Sequence, residues 1–141
     1  MTPKRYEIYY ANLNPTVGSE IKKIRPVVII SQDAMNRNLD TVVVCPLTRK
    51  LHYKWRSRIQ IKCSGQNAEI AVDQIRTISK NRLKQKIDKL STEESQQLRQ
   101  LITDMYGEWP LKYIKSRDDE LKELKEKYGH LRKKKVNTRT S

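Results

Sequence analysis

The sequence predicts a mainly β domain, a small sheet closed into a barrel, with one amphipathic helix and a basic extension behind it. Three observations predict it. Short β-branched runs recur through residues 1–90, turn-forming residues separate them, and a capped helical pattern begins only at Ser91. Glu7 to Ala11 alternates around Ile8 and Tyr10. Arg25 to Ser31 and Thr41 to Leu47 are continuous apolar runs, short enough for strands buried on both faces. Arg56 to Lys62 alternates charge with Ile59 and Ile61, as a half-exposed strand does. Glu69 to Val72 and Gln74 to Ile78 supply two more extended pieces. Gly18, Asn36, Asn38 and Gly65-Gln66-Asn67 fall between these segments, where turns belong. Ser91-Thr92-Glu93-Glu94 matches a capping box, and Leu98, Leu101, Ile102 and Met105 follow at helical spacing up to a stop at Gly107. That helix is expected to lay its apolar stripe on the sheet.

The division expected is a barrel over residues 1–107 and a basic, helical or partly disordered extension over 108–141. In the extension, Ile114, Leu121, Leu124, Tyr128 and Leu131 recur close to a heptad seam and lead into the run Arg132-Lys133-Lys134-Lys135. A solvated amphipathic helix is the default reading there.

The 141 residues carry a formal charge of +14, which points to a polyanionic partner, most simply nucleic acid. Residues 1–107 hold 19 basic and 10 acidic side chains and residues 108–141 hold 11 and 6, so the body is basic without its tail. No apolar run approaches the ~20 residues of a membrane span, and the opening Met1-Thr2-Pro3-Lys4-Arg5 leads into a strand pattern rather than a signal-peptide core. Cys45 and Cys63 sit inside strand patterns without CxxC spacing, which fits reduced, packed thiols in a cytoplasmic protein. His52 and His130 are the only histidines, and no ligand set is clustered, so neither a metal nor another cofactor is expected.

The loop Asn14 to Ile24 ends at Arg25-Pro26, directly before a strand. The residue preceding a proline is driven into an extended conformation, so Arg25 stands at the strand's mouth. Its planar, permanently charged fork suits a phosphate. Thr48 follows Pro46, which favours a strand end or edge because proline cannot donate to a ladder; its hydroxyl would reach a phosphate oxygen from a loop rim. Ser19 offers a third donor, and Asp73 is the best-placed base in the sequence. Each has a plainer alternative. Thr48 can cap a turn, Asp73 can pair with Arg76 or Arg25, and Arg25 can bind phosphate without doing chemistry.

Recognition of single strands falls to Arg49-Lys50-Leu51-His52-Tyr53-Lys54-Trp55-Arg56-Ser57-Arg58, where cations alternate with Tyr53 and Trp55. Cations hold a backbone while aromatic faces stack on unpaired bases. The alternative for Trp55 is a core anchor under the loop. Lys22 and Lys23 extend the positive rim.

The segments VGSEIKKIRPVVIIS (Val17 to Ser31), Asn36-Arg37-Asn38, VVVCPLT (Val42 to Thr48) and VDQIRTISKNRL (Val72 to Leu83) together resemble the MazF/PemK family of toxin endoribonucleases, in order from Arg5 to Gly107. The resemblance implies an SH3-like small barrel, akin to that of the gyrase-poison toxins, and a homodimer. It implies metal-independent cleavage of single-stranded mRNA at a short sequence, leaving 2′,3′-cyclic phosphate and 5′-hydroxyl ends. It also implies a cognate antitoxin whose acidic tail fills the RNA groove. Position by position, the family's catalytic arginine falls on Arg25 and its catalytic threonine on Thr48. The serine of VGSE is Ser19, and Gln74 helps line the RNA site. One branch of the family has a histidine in place of Ser19 and Arg-x-Asp in place of Ala71-Val72-Asp73, so the arginine–threonine version fits this chain. A guanidinium is a poor base, and either Asp73 or the substrate must assist. Two other readings remain: a non-catalytic basic RNA- or ribosome-binding barrel, and a gyrase poison on the same fold.

Overall fold

The computed structural model describes residues 2–15, 17–21, 23–107, 122 and 124–127. Lys22, the heptad-like seam but for Leu124, and the basic run at 132–135 lie outside the described residues. Seven strands form one strongly curled sheet: β1 (Glu7–Asn12), β2 (Ile24–Ile29), β3 (Thr41–Thr48), β4 (Arg58–Cys63), β5 (Gln66–Ala71), β6 (Arg76–Ser79) and β7 (Leu83–Lys89). The order is β4-β5-β3-β2-β1-β7, with β6 paired to β3 beside β5. The helices α1 (Asp33–Asn38) and α2 (Thr92–Tyr106) pack with the sheet. The ends of the curl approach each other where the Ser64 amide donates to Asp88 Oδ2 at 2.7 Å.

Strands β1 to β3 are apolar on both faces because both faces are covered. Ile8, Val28, Cys45 and Leu47 join one buried cluster with Ile59, Ile61, Ile70 and Leu98. Tyr9, Val27, Ile29 and Val44 join a second with Leu13 and Ile78. This is why β2 and β3 run without alternation in sequence; in β1 the alternation expected around Ile8 and Tyr10 does not hold, because Tyr9 and Ala11 are buried with Ile8 while Tyr10 is exposed. Helix α2 caps the first cluster. Leu98 is fully buried, and Leu101, Ile102 and Met105 pack against it, as their spacing predicts. The capping box closes in both directions, the Glu94 amide donating to Ser91 Oγ and the Ser91 amide to Glu94 Oε1. Gly107 ends the helix for a steric reason, since a Cβ there would meet the Thr103 carbonyl oxygen at 2.6 Å.

Several elements depart from the sequence reading. Gln66 and Asn67 open β5 rather than form a turn, and Val72–Gln74 is a single 3-10 turn rather than extended chain. Asn36 and Asn38 belong to α1 rather than a turn. Asn36 is buried, accepts from Ser31 Oγ and donates to the carbonyls of Pro3 and Ser31, so it serves as a polar rivet. Strand β7 carries only Leu83 and Ile87 among charged residues, a composition without a visible strand period. It is an edge strand whose lysines blunt that edge; Lys86 pairs with Glu7 at 2.6 Å. Pro46 also needs a correction. It lies inside β3, a central strand, at the point where the partner changes from β6 (Val44 opposite Arg76) to β5 (Leu47 opposite Ile70). The missing donor falls in that change of partner. Cys45 and Cys63 are buried free thiols, and burial together with the charge of Asp73 pushes Cys45 up to about 12.

Candidate active site and RNA-facing loop

Arg25 and Thr48 line one cleft of about 320 Å³, with Lys23 and Arg49 on its walls. Arg25 is held by β2 pairing, opposite Ala11 of β1. Thr48 closes β3, opposite Glu69 of β5. Thr48 also caps a turn, because its Oγ1 accepts from the Lys50 amide at 3.2 Å. The two roles are compatible. A hydroxyl that accepts one bond keeps its own proton to donate, and the turn bond fixes where that oxygen sits.

The first loop is built from backbone anchors. Gly18 has φ of 61°, in the left-handed region, within a turn closed from the Glu20 amide to the Val17 carbonyl. Ser19 is exposed on that turn. Lys23 also adopts a positive φ, 72°, its amide donating to Asn14 Oδ1 and its carbonyl accepting from Leu13. Such conformations in non-glycine residues persist only where the surroundings impose them. The surroundings here are contributed by the segment from Gln74 to Arg82. Gln74 Oε1 accepts from the Ile21 amide at 2.7 Å, Arg76 donates to the Leu13 carbonyl, and Arg82 donates to the carbonyls of Asn12 and Asn14. Gln74, expected to line an RNA site, thus holds the first loop in place. The supporting roles of Arg76 and Arg82 were missed, since a basic residue in sequence says nothing of which carbonyl it meets.

Asp73 does not line the cleft. Its Oδ1 accepts from Arg58 Nε at 2.8 Å, so its ion-pair partner is neither Arg25 nor Arg76. Arg58, read as part of the cationic loop, is an internal residue with a side chain only 4% exposed. It bridges Asp73 and Glu69. Glu69, which the sequence reading passed over, is fully buried and accepts from every side. Oε1 takes the His52 amide and Gln60 Nε2, while Oε2 takes Arg58 Nη1 and faces His52 Nδ1, both at 2.8 Å. Burial pushes this carboxyl up, but the bonds from Gln60, His52 and Arg58 outweigh it and hold it below its ordinary value. The signal was present: a lone acid in the apolar stretch Ala68 to Val72.

The 49–57 loop folds over this carboxylate. His52 is turned toward Glu69 and stacks on Trp55, with ring centroids 3.9 Å apart and planes at 21°. Trp55 is therefore anchored, yet half exposed, rather than sunk in the core. Tyr53 is 73% exposed; Lys54 and Lys50 are exposed beside it, and Arg56 is half-buried. Among the described residues no three His, Cys, Asp or Glu side chains converge as metal ligands, and no helix is long and apolar enough to cross a membrane.

A curled sheet with a C-terminal helix, a basic cleft at the β2 and β3 ends and an aromatic loop beside it defines a class of small toxins. Residues 4–106 match the family model described as PemK-like, MazF-like toxin of type II toxin–antitoxin systems, and the chain belongs to that family. It is 36% identical over 109 residues to endoribonuclease MazF of Staphylococcus saprophyticus, covering 74% of this chain and 91% of that one. It is 38% identical over 98 residues to endoribonuclease EndoA of Bacillus subtilis, covering 66% and 84%. The fold is shared with the crystal structure of MazF from Deinococcus radiodurans, with a TM-score of 0.69 at 17% identity over 77% of this chain and 99% of that one. It is also shared with a mycobacterial endoribonuclease solved with its cognate antitoxin, at a TM-score of 0.62 and 21% identity over 77% and 98%.

Proposed function

We propose that this chain is a cytoplasmic endoribonuclease toxin that cuts single-stranded mRNA without a metal, at the cleft between Arg25 and Thr48. The observation that carries the reading is their meeting in one cleft. In the reaction the ribose 2′-oxygen attacks the adjacent phosphorus, the bond to the 5′-oxygen breaks, and the products are a 2′,3′-cyclic phosphate and a 5′-hydroxyl. Arg25 offsets the charge growing on the phosphoryl oxygens and Thr48 donates a hydrogen bond to one of them. Lys23 and Arg49 hold flanking phosphates, and Ser19 adds a donor from the first turn. With Asp73 tied to Arg58 outside the cleft, the 2′-hydroxyl proton passes to a phosphoryl oxygen of the substrate or to water, and the leaving 5′-oxygen takes a proton from water. Tyr53 and Trp55 stack on flanking bases, with Lys50, Lys54 and Arg56 on the backbone.

Two partners accompany this reading. A cognate antitoxin with an acidic tail would compete for the cationic cleft, and a second copy of the chain would complete a homodimer; a mycobacterial endoribonuclease of this fold was solved with its cognate antitoxin. The test is a long single-stranded RNA incubated with the protein in excess EDTA. Cuts at a reproducible short sequence with cyclic-phosphate and 5′-hydroxyl ends are expected. Intact RNA, or cutting only with a divalent ion, would overturn the proposal in favour of a non-catalytic binder, a gyrase poison or a metal-dependent mechanism.

A further inference from the structure

The cluster beneath the 49–57 loop lies outside the cleft, and the cleavage mechanism makes no use of it. Core residues Leu47, Ile70, Ile59 and Ile61 point to one face of the sheet. Alternation therefore puts Thr48, Glu69, Gln60 and Arg58 on the opposite face. A carboxylate on an outer face is normally wet. Glu69 is dry because the loop that begins right after Thr48 folds over it. Its roughly four acceptor positions are all engaged, two of them by the backbone and ring of His52.

The geometry around Trp55 shows what this arrangement presents. His52 stacks on the indole, and Arg58 Cζ lies 4.7 Å from a Trp55 ring centroid. His52 Nδ1 and Arg58 Nη1 are 3.4 Å apart. Groups on opposite faces of the indole would be two stacking distances apart, far beyond that separation. Both therefore back the same face. Trp55 remains 50% exposed, and with one face backed we assign that exposure to the other.

We infer that Glu69 is a positioning residue for RNA recognition: through His52 and Arg58 it locks Trp55 from behind, so that the open indole face forms a rigid shelf for one unpaired base next to the scissile phosphate. The inference rests on the nuclease reading above. Proximity follows from register, since Glu69 is the cross-strand partner of Thr48, and directly opposed residues on one face are near neighbours. Pre-ordering the indole removes an entropic cost that a mobile loop would bear on binding. His52, expected to touch RNA, instead forms the rear of the shelf.

The test is a double-variant cycle on Glu69→Gln and Trp55→Ala, with steady-state cleavage of a long RNA whose cut sites have been mapped with the wild-type protein. A carboxamide keeps the shape but turns an N–H₂ group toward donors, which loosens the anchor. Loss of one stacked base is worth about 5- to 150-fold in binding. Glu69→Gln is expected to raise KM within that range with kcat close to wild type. Trp55→Ala should do the same, and the double variant should be no worse than Trp55→Ala alone. A wild-type KM in Glu69→Gln, a fall in kcat at unchanged KM, or penalties that multiply would each overturn the inference. Should Glu69→Gln fail to fold, His52→Ala takes its place in the cycle with the same criteria, because Arg58 and Gln60 still satisfy the carboxylate. If the wild-type protein leaves RNA uncut, the nuclease reading fails instead, and the two failures remain distinct.

Discussion

The cleft and the aromatic loop, proposed to meet one substrate, are held in place by different physics. Arg25 and Thr48 sit at the ends of β2 and β3, strands whose inner residues, Val27 to Ile29 and Val44 to Leu47, are buried in the apolar core. Their placement is a by-product of sheet packing. The loop 49–57 has no such base and is tied down by one buried carboxylate and the cations around it. On the proposed reading, chemistry rests on apolar packing and recognition on a polar anchor. The first can tolerate changes of solvent pH and loop sequence; the second is open to both.

Several measurements would break or sharpen that contrast. The largest effect is expected from Arg25→Ala, which removes the main charge stabilising the transition state and should lower kcat by about 10²–10³-fold, with Thr48→Ala close behind and melting temperatures near wild type. Wild-type rates in either would detach the cleft from the reaction. Glu69→Ala should show the opposite pattern. It leaves Arg58 buried with part of its pairing gone, and breaking a buried ion pair costs about 3–5 kcal/mol, so chemical denaturation should register a large loss of stability. An unchanged midpoint would mean that the loop is held by something else.

The pH dependence of stability sharpens the comparison further. The carboxyl of Glu69 is held below its ordinary value of 4.5, so its contribution is complete above that value and is lost as the pH falls through the lower folded value. Glu7, held down by its bonds to Lys86, Lys4 and Tyr9 against the opposing effect of burial, behaves alike. An acid titration of the melting temperature should fall more steeply below pH 4.5 in the wild type than in Glu69→Gln; parallel curves would contradict the assigned shift. The smallest effect is expected from Gln74→Ala. It deletes one bond to the Ile21 amide, worth about 0.5–1.5 kcal/mol, and should raise KM a few-fold by loosening the first loop.

The parts legible in the sequence were those set by local rules. Proline after Arg25, β-branching in Thr41 to Leu47 and the Ser91–Glu94 box each act over a few residues, and the strands and α2 followed from them. Distant pairings were not legible. Strand β7 lacks an apolar period because only Leu83 and Ile87 face the interior, and α1 is short enough for its two asparagines to read as a turn. Asp73 looked like a base because its partner, Arg58, is fifteen residues away. His52 looked like a contact residue for the same reason, its partner Glu69 being on another strand. The charges around the site could be counted from the sequence, but which of them neutralise each other depends on strand register.

The central claim is that Arg25 and Thr48 act on one phosphodiester. Single-turnover cleavage by Arg25→Ala, Thr48→Ala and the double variant tests it most directly. Groups that work as a unit are strongly non-additive, so the double variant should be little slower than the slower single. Losses that multiply in full would place the two side chains on separate events and contradict the account.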